Sequence, residues 1–292
     1  MHNGVLVSII IRTKDRPALV CRALESVARQ TWRPLEVVVV NDGGVPLEQH
    51  SLRQALGDVP LKFLPLTSNV GRAKAANLGI DKASGGLIAF LDDDDEFDPE
   101  HIELLIDTLV SHKAYVAYSG VRMVQVNGVG INAHRETVCV FSKPFSAEDL
   151  VIANYIPING LLFDANLLRS LRFDESFDLY EDWDLLIRAS EHADFAFTGK
   201  VTATYYQWSD TQVGFNSSPR QMEEATIRLY EKHRARLPLQ KIYQMRNELD
   251  RLQKKIVEME RNLEKPKSQA EAKVGFWHRM LCKIVCHLQG NR

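Results

Sequence analysis

No stretch of this 292-residue chain approaches the ~18 apolar residues that a bilayer-crossing helix needs. The N-terminus runs directly into VLVSIIIR, without the charged segment, short apolar core and cleavage site of a secretory leader, so none is expected. Cysteine is scarce. Cys21, Cys139, Cys282 and Cys286 show neither paired metal-ligand spacing nor the density of a secreted disulfide scaffold, and Cys282 and Cys286 read as ordinary thiols one helical turn apart. There is no excess of one sign of charge either. A net charge of −2 provides no basic field for a nucleic-acid partner. These absences make a cytoplasmic protein the expectation. The remaining composition, 45% apolar and 25% charged, is that of a globular chain with room for one large domain plus an appendage.

The first 120 or so residues alternate two patterns. Val5–Ile11, Leu35–Val40, Leu61–Leu66 and Leu87–Leu91 are unbroken apolar runs, as strands covered on both faces should be. Pro17–Gln30, Leu47–Leu56 and Gly71–Ala83 carry helical apolar spacing, with Pro17 at a helix start, where its missing N–H costs nothing. The alternation predicts an α/β fold, a Rossmann-like, mostly parallel sheet flanked by helices. Ligands bind such sheets beyond the carboxyl ends of the strands. Four polar loops should meet there: 12–16, 41–44, 68–72 and the aspartates at 92–95.

Those four consecutive aspartates, Asp92 to Asp95, carry the strongest chemical signal. Like charges crowded at one strand end repel, and a hard divalent cation is the simplest agent to offset them. Mn²⁺ or Mg²⁺ takes one or two carboxylates together with phosphate oxygens. A capped helix start accounts for Asp98 before Pro99 but not for the cluster.

From about Tyr115 to Tyr206 the alternation loosens into strand-like stretches (115–126, 160–163, 195–198, 202–207) and short helices, one opened by Ser146 with Asp149 three residues later. Pro219–Arg236 reads as a further helix. Ile242, Met245, Leu249, Leu252, Ile256, Met259 and Leu263 then step by three and four, a heptad seam in a polar helix. So narrow a seam predicts a coiled coil over 237–265 and a homo-oligomer; an amphipathic helix lying on the domain is the alternative. After Lys265-Pro266-Lys267, the last segment sets Trp277, Leu281, Ile284 and Leu288 on one stripe. Residues 267–292 hold five Lys or Arg and one Glu. This basic amphipathic helix (266–292) suits peripheral membrane contact or packing on protein.

The segments VSIIIRTKDRPALVCRALESVARQTWRPLEVVVVNDGG, NVGRAKAANLGI, GLIAFLDDDDEFDPEHI and YEDWDLLIRASEH occur in that order. In these motifs the chain resembles the family 2 inverting glycosyltransferases of GT-A fold, of bacterial type, over about Val5 to Trp208. The resemblance implies a GT-A domain over 1–236 and a nucleotide-sugar donor, UDP-linked by preference. It places Thr13 and Asp42 at the base, with Arg16 in the same first loop, and Arg72 and Lys74 at the diphosphate or base edge. It places Asp92 and Asp93 near ribose or outer-sphere waters, and Asp94 on the metal. Asp182 becomes the base that takes the acceptor proton, with Glu181 as its neighbour and Trp183 against a sugar face. Asp42-Gly43 also reads as an ordinary turn, and the acidic first turn of the helix after Glu181 also complements the helix dipole. Two departures stand out. Asn41 replaces the first Asp of the family's usual pair, and Tyr205-Tyr206-Gln207-Trp208-Ser209 lacks the late Arg or His of many relatives, which leaves Arg220 as a substitute. The expected activity is metal-dependent inverting transfer to a glycan or lipid-linked acceptor in surface polysaccharide or glycoconjugate synthesis, at the inner membrane face. A nucleotidyltransferase and a non-catalytic scaffold that oligomerises through its tail are the alternatives.

Overall fold

The computed structural model describes residues 4–128, 133–208 and 218–263. Its first half follows the apolar pattern closely. Strands β1 (Val7–Thr13), β2 (Leu35–Asn41), β3 (Leu61–Pro65) and β4 (Leu87–Asp92) pair in parallel in the order β3-β2-β1-β4. Every residue of β1 and β2 is buried, because helices cover both faces. Ile9, Ile11, Val37 and Val39 join a core with α1 (Pro17–Ala28), α2 (Gln49–Leu56) and α4 (His101–His112). Ile10, Val38 and Val40 face α3 (Arg72–Lys82) in a second core. Gly71, at φ 91°, opens α3 in a conformation that a side chain rarely adopts.

The second half departs from a mostly parallel sheet. β4 pairs antiparallel with β8 (Leu161–Asp164), and β8 pairs antiparallel with β6 (Val116–Asn127). β6 lies parallel to β9 (Phe195–Trp208), whose other edge takes the two-residue β5 (Glu96–Phe97) in antiparallel sense. β7 (His134–Phe141), which the apolar pattern did not suggest, pairs antiparallel with β6 and is largely exposed, so it carries no unbroken apolar run. The sheet is therefore mixed. The two short stretches read at 195–198 and 202–207 are one strand, with Gly199 at φ 70° between them and an irregular register against β6.

The short helices are α5 (Ala147–Ile152), capped by Ser146 accepting from the Asp149 N–H, and α6 (Ala165–Ser170). α7 (Glu181–Ala189) follows, then α8 (Pro219–Lys232), which ends in a 3-10 turn at Arg234–Arg236 rather than running on as helix. α9 (Leu239–Leu263) contains the whole heptad seam. Among the described residues, no helix is long and apolar enough to cross a membrane. The basic segment at 266–292 lies outside the described residues.

Candidate active site

Parallel register brings the strand ends together: Thr13 lies beside Asn41, and Arg12 beside Asp92. The loops that follow lock onto one another. Asp15, in the left-handed region at φ 60°, accepts from the Val45 N–H at 2.7 Å. Asn41 donates to the Val45 carbonyl at 2.8 Å and accepts from the Gly44 N–H at 3.2 Å, so an amide serves this turn where a carboxylate could not donate. Asp42 accepts from the N–H groups of Val70 (2.7 Å) and Gly71 (3.1 Å), pinning the loop that starts α3. Both Asp42 oxygens thus have a structural role, alongside any contact they make with a base.

Each aspartate of the cluster has its own partners. Asp92 takes Arg12 Nη2 at 2.8 Å and Arg72 Nη2 at 3.5 Å. Asp93 accepts the Thr13 hydroxyl at 2.6 Å and Arg16 Nη1 at 3.0 Å. Asp95 is buried and accepts from Asn159 Nδ2 at 2.9 Å and the Tyr206 N–H at 3.0 Å, tying the turn to β9. Among the described residues, Asp94 meets another side chain through one oxygen only, Oδ2, which accepts from Arg16 Nη1 at 3.1 Å. These contacts sort the charges. Burial would raise the Asp92 carboxyl, but Arg12 and Arg72 outweigh it and hold it below the ordinary range. Burial, reinforced by Asp93 and Asp92, pushes Asp94 up to about 7. Burial likewise raises Asp93, against the pull of Arg16, and with the neighbouring charges it raises Asp95 well above the ordinary range. Asp95 has both oxygens engaged inside the fold. Asp94 is therefore, among the described residues, the member of the cluster with the fewest partners. Among the described residues, no group of three or more His, Cys, Asp or Glu side chains could enclose a metal unaided.

α7 presents the other side of the site. Its N-cap, Tyr180, is held at φ 64°, a strained setting for a bulky residue. Glu181 is buried and binds Arg12 Nη1 at 2.9 Å and Arg72 Nε at 3.4 Å, so it steadies the arginines. Asp182 is only partly buried. It accepts from the Trp183 N–H at 2.8 Å and from Asn154 Nδ2 at 3.2 Å. Burial, then the neighbouring Glu181 charge, raises its carboxyl to about 6. Such a group is deprotonated at neutral pH yet close enough to it to accept a proton.

Several expected roles need correction. Trp183 is buried, donates to the Leu150 carbonyl at 2.5 Å and packs edge-on to Tyr180 and Tyr230, so its ring offers no face for a sugar. Asp184 does more than complement the helix dipole: it accepts from His233 Nε2 (2.9 Å) and Lys232 (2.6 Å) and pairs with Arg188 (2.7 Å), fastening α8 to α7. Arg220 is 87% exposed and pairs with Glu224 on its own helix, so it does not replace the missing late cation. Lys74 is exposed and takes no part in the ion-pair network among the described residues.

The sequence reading missed four participants. Arg12 joins Asp92 to Glu181, and Arg22 donates to the Asp94 carbonyl at 2.5 Å. Asn154 orients Asp182. Tyr205 has its phenol raised to about 12 by burial and by the nearby carboxylates of the cluster. The two arginines could have been suspected from the density of cations in 12–22; Asn154 and Tyr205 left no local signal.

Comparison with known proteins shows the family and the fold. The model of the family described as Glycosyl transferase family 2 matches residues 8–167. An uncharacterized glycosyltransferase of Bacillus subtilis, YwdF, is 32% identical over 190 residues, covering 63% of this chain and 68% of that protein. The succinoglycan biosynthesis protein ExoO of Rhizobium meliloti is 27% identical over 197 residues, 63% of this chain and 55% of its own. The crystal structure of S. aureus TarS 1–349 in complex with UDP-GlcNAc superposes with a TM-score of 0.58 at 20% identity, over 75% of this chain and 64% of that one, a likeness of fold. The chain thus spans less than two thirds of the last two proteins.

Proposed function

The chain belongs to glycosyl transferase family 2, and from that premise we propose that it moves a sugar from a nucleotide-sugar donor to an acceptor hydroxyl, inverting the anomeric carbon. The observation that carries this reading is the separation of two kinds of carboxylate on one sheet edge. Asp94 concentrates negative charge beside the arginines, and Asp182 stands on α7 with its carboxyl raised to about 6. Asp182 takes the proton of the acceptor hydroxyl as its oxygen attacks the anomeric carbon. The bond from that carbon to the diphosphate breaks on the opposite side, and the nucleoside diphosphate leaves. Arg72, at the start of α3, and Arg16, which pairs with Asp93 and Asp94, face the departing phosphates in this reading. Asp94 would hold Mn²⁺ or Mg²⁺, which when bound offsets charge on the leaving diphosphate. Thr13 and Asp42 line the base, and Asp92 and Asp93 the ribose.

UDP is the favoured nucleotide, because the TarS complex contains UDP-GlcNAc. The acceptor is a glycan or lipid-linked intermediate of surface polysaccharide synthesis, in keeping with the succinoglycan relative. In this reading the enzyme works at the cytoplasmic membrane face, with the basic segment 266–292 as its lipid contact and α9 as its oligomerisation helix. Family membership favours glycosyl transfer over nucleotidyl transfer.

Calorimetric titration of UDP and GDP, each with Mn²⁺ and with chelator, tests the donor site. The expected result is metal-dependent binding of UDP that Asp94→Asn loses while remaining folded. Binding of neither nucleotide to folded wild type would overturn the reading in favour of the scaffold.

A further inference from the structure

Among the described residues, α9 leaves its seam largely uncovered. Its first turn is tied to the body by Lys241, which pairs with Asp149 and lies 3.8 Å from Glu148. Beyond Lys241, no ion pair or hydrogen bond links an α9 side chain to another element among the described residues. Ile242, Leu249 and Met259 of the seam are exposed, and Met245, Leu252 and Ile256 are half-exposed. A seam stepping by three and four residues fits another helix with the same repeat, and a second copy supplies it. An irregular groove on a different protein has no such repeat to match.

The charges beside the seam settle the direction. With Ile242, Leu249, Ile256 and Leu263 at the a positions, the g positions hold Lys241, Glu248, Lys255 and Asn262, and the e positions hold Arg246, Gln253 and Glu260. A parallel pair sets each g residue against the e residue five positions later on its partner. That juxtaposes Lys241 with Arg246, Glu248 with Gln253 and Lys255 with Glu260: one like-charge contact cancels one attraction on each side.

An antiparallel pair behaves differently, because g meets g along one flank and e meets e along the other. With Leu249 level with the partner's Leu252, the other core layers are Ile242 with Met259 and Met245 with Ile256. Along one flank Glu248 then faces Lys255 twice, once from each helix, and Lys241 faces Asn262. Along the other, Arg246 faces Gln253. No like charges meet. Sliding the helices by one heptad in one direction brings Arg246 against Glu260 along one flank but sets Lys255 against Lys255 along the other. Sliding in the other sets Glu248 against Glu248 and Lys241 against Lys255. One direction and one register therefore satisfy both the apolar seam and its flanking charges.

We infer that α9 forms an antiparallel two-stranded coiled coil with α9 of a second copy, in the register that faces Glu248 with the partner's Lys255. The inference rests on the reading of α9 as an oligomerisation helix and deepens it. It does not depend on glycosyl transfer. A helix of 25 residues is about 37 Å long, so the two catalytic domains emerge at opposite ends of the coil rather than side by side.

Sedimentation equilibrium of the full chain, over concentrations that span dissociation, tests this through a charge swap. Wild type is expected at twice the chain mass. Glu248→Lys puts two lysines face to face across the seam and should weaken the dimer roughly tenfold or more, as should Lys255→Glu, which does the same with two glutamates. Mixing the two variants, or combining them in one chain, should restore it. A parallel coil gives another pattern. There Glu248→Lys would place a lysine against the neutral Gln253 and leave the dimer unchanged, while the double variant would bring its new glutamate against Glu260 and stay weak. That pattern would overturn the antiparallel assignment. A monomeric wild type, or a mass other than twice the chain, would overturn the pairing itself while leaving nucleotide binding untouched. Circular dichroism of each variant checks that the body is folded, since both substitutions lie on the projecting helix.

Discussion

Arg12 Nη1 donates to Glu181 Oε1 at 2.9 Å, joining the end of the first strand to the helix that carries Asp182, 169 residues away in sequence. Both side chains are buried, and the other arm of the guanidinium holds Asp92 at 2.8 Å. One arginine thus links the aspartate cluster to the helix that carries Asp182. Desolvation makes such a pair a weak source of net stability, but removing one member leaves a buried charge short of its partner.

Glu181→Gln should therefore destabilise the protein by about 3 kcal/mol. Urea unfolding of the variant measures it. A change under about 0.5 kcal/mol, the range of an ordinary surface substitution, would show that Arg12 is satisfied without Glu181.

Asp95 and Asn159 make a second, wholly buried contact, which ties the aspartate turn to the turn before β8. Asp95 accepts from two donors, Asn159 Nδ2 and the Tyr206 N–H, so Asp95→Asn sets its new NH2 group against one of them and should cost about 1–3 kcal/mol. The exchanged pair, Asp95→Asn with Asn159→Asp, gives Nδ2 of residue 95 an acceptor again and should recover part of that loss. Thermal denaturation of the single and exchanged variants reads the difference; equal loss in both would argue against the contact.

The raised carboxyl of Asp182 predicts a pH profile for turnover. As the base it must be deprotonated, so kcat/KM should rise with pH through about 6 and then level off. Stability runs the other way. The folded state holds this proton to a higher pH than the unfolded chain, whose aspartate releases it near 3.8, so stability falls as pH rises between those values. Asp182→Asn should lower kcat by about 10²–10⁴ and abolish the limb near pH 6. A limb that survives the substitution would place the base elsewhere.

Asp184 works in the opposite direction. Burial would raise its carboxyl, but the bonds from His233 and Lys232 and the charge of Arg188 hold it below the ordinary range. Its contribution is present above the unfolded value of 3.8 and is lost as pH falls through the folded value. Asp184→Asn should destabilise the protein at pH 7 and flatten the acid side of the stability profile, measured by urea unfolding from pH 7 to pH 3. A parallel, unflattened profile would remove Asp184 from the acid response.

How much of this was legible without coordinates depends on the distance over which each feature is determined. The apolar runs of β1 to β4 and the helical spacing between them are local patterns, and parallel strands joined by helices leave their polar loops at one sheet edge. The four loops, the aspartate cluster and the Glu181-Asp182 pair could accordingly be named from the amino-acid order, as could the repeat that makes α9 an exposed seam.

What only the tertiary structure decided is the pairing of parts remote in sequence. β8, β6 and β9 assemble out of chain order because hydrogen bonding and burial select neighbours that no run of residues announces. The same folding distributes partners among four chemically identical aspartates. Arg12, Thr13 and Arg16, at the end of β1 and in its loop, and Asn159, in the turn before β8, reach different oxygens, which leaves Asp94 the least engaged of the four among the described residues. Sequence supplied the carboxylates. Burial and the positions of the arginines set the charge on each, because those energies depend on distance in space.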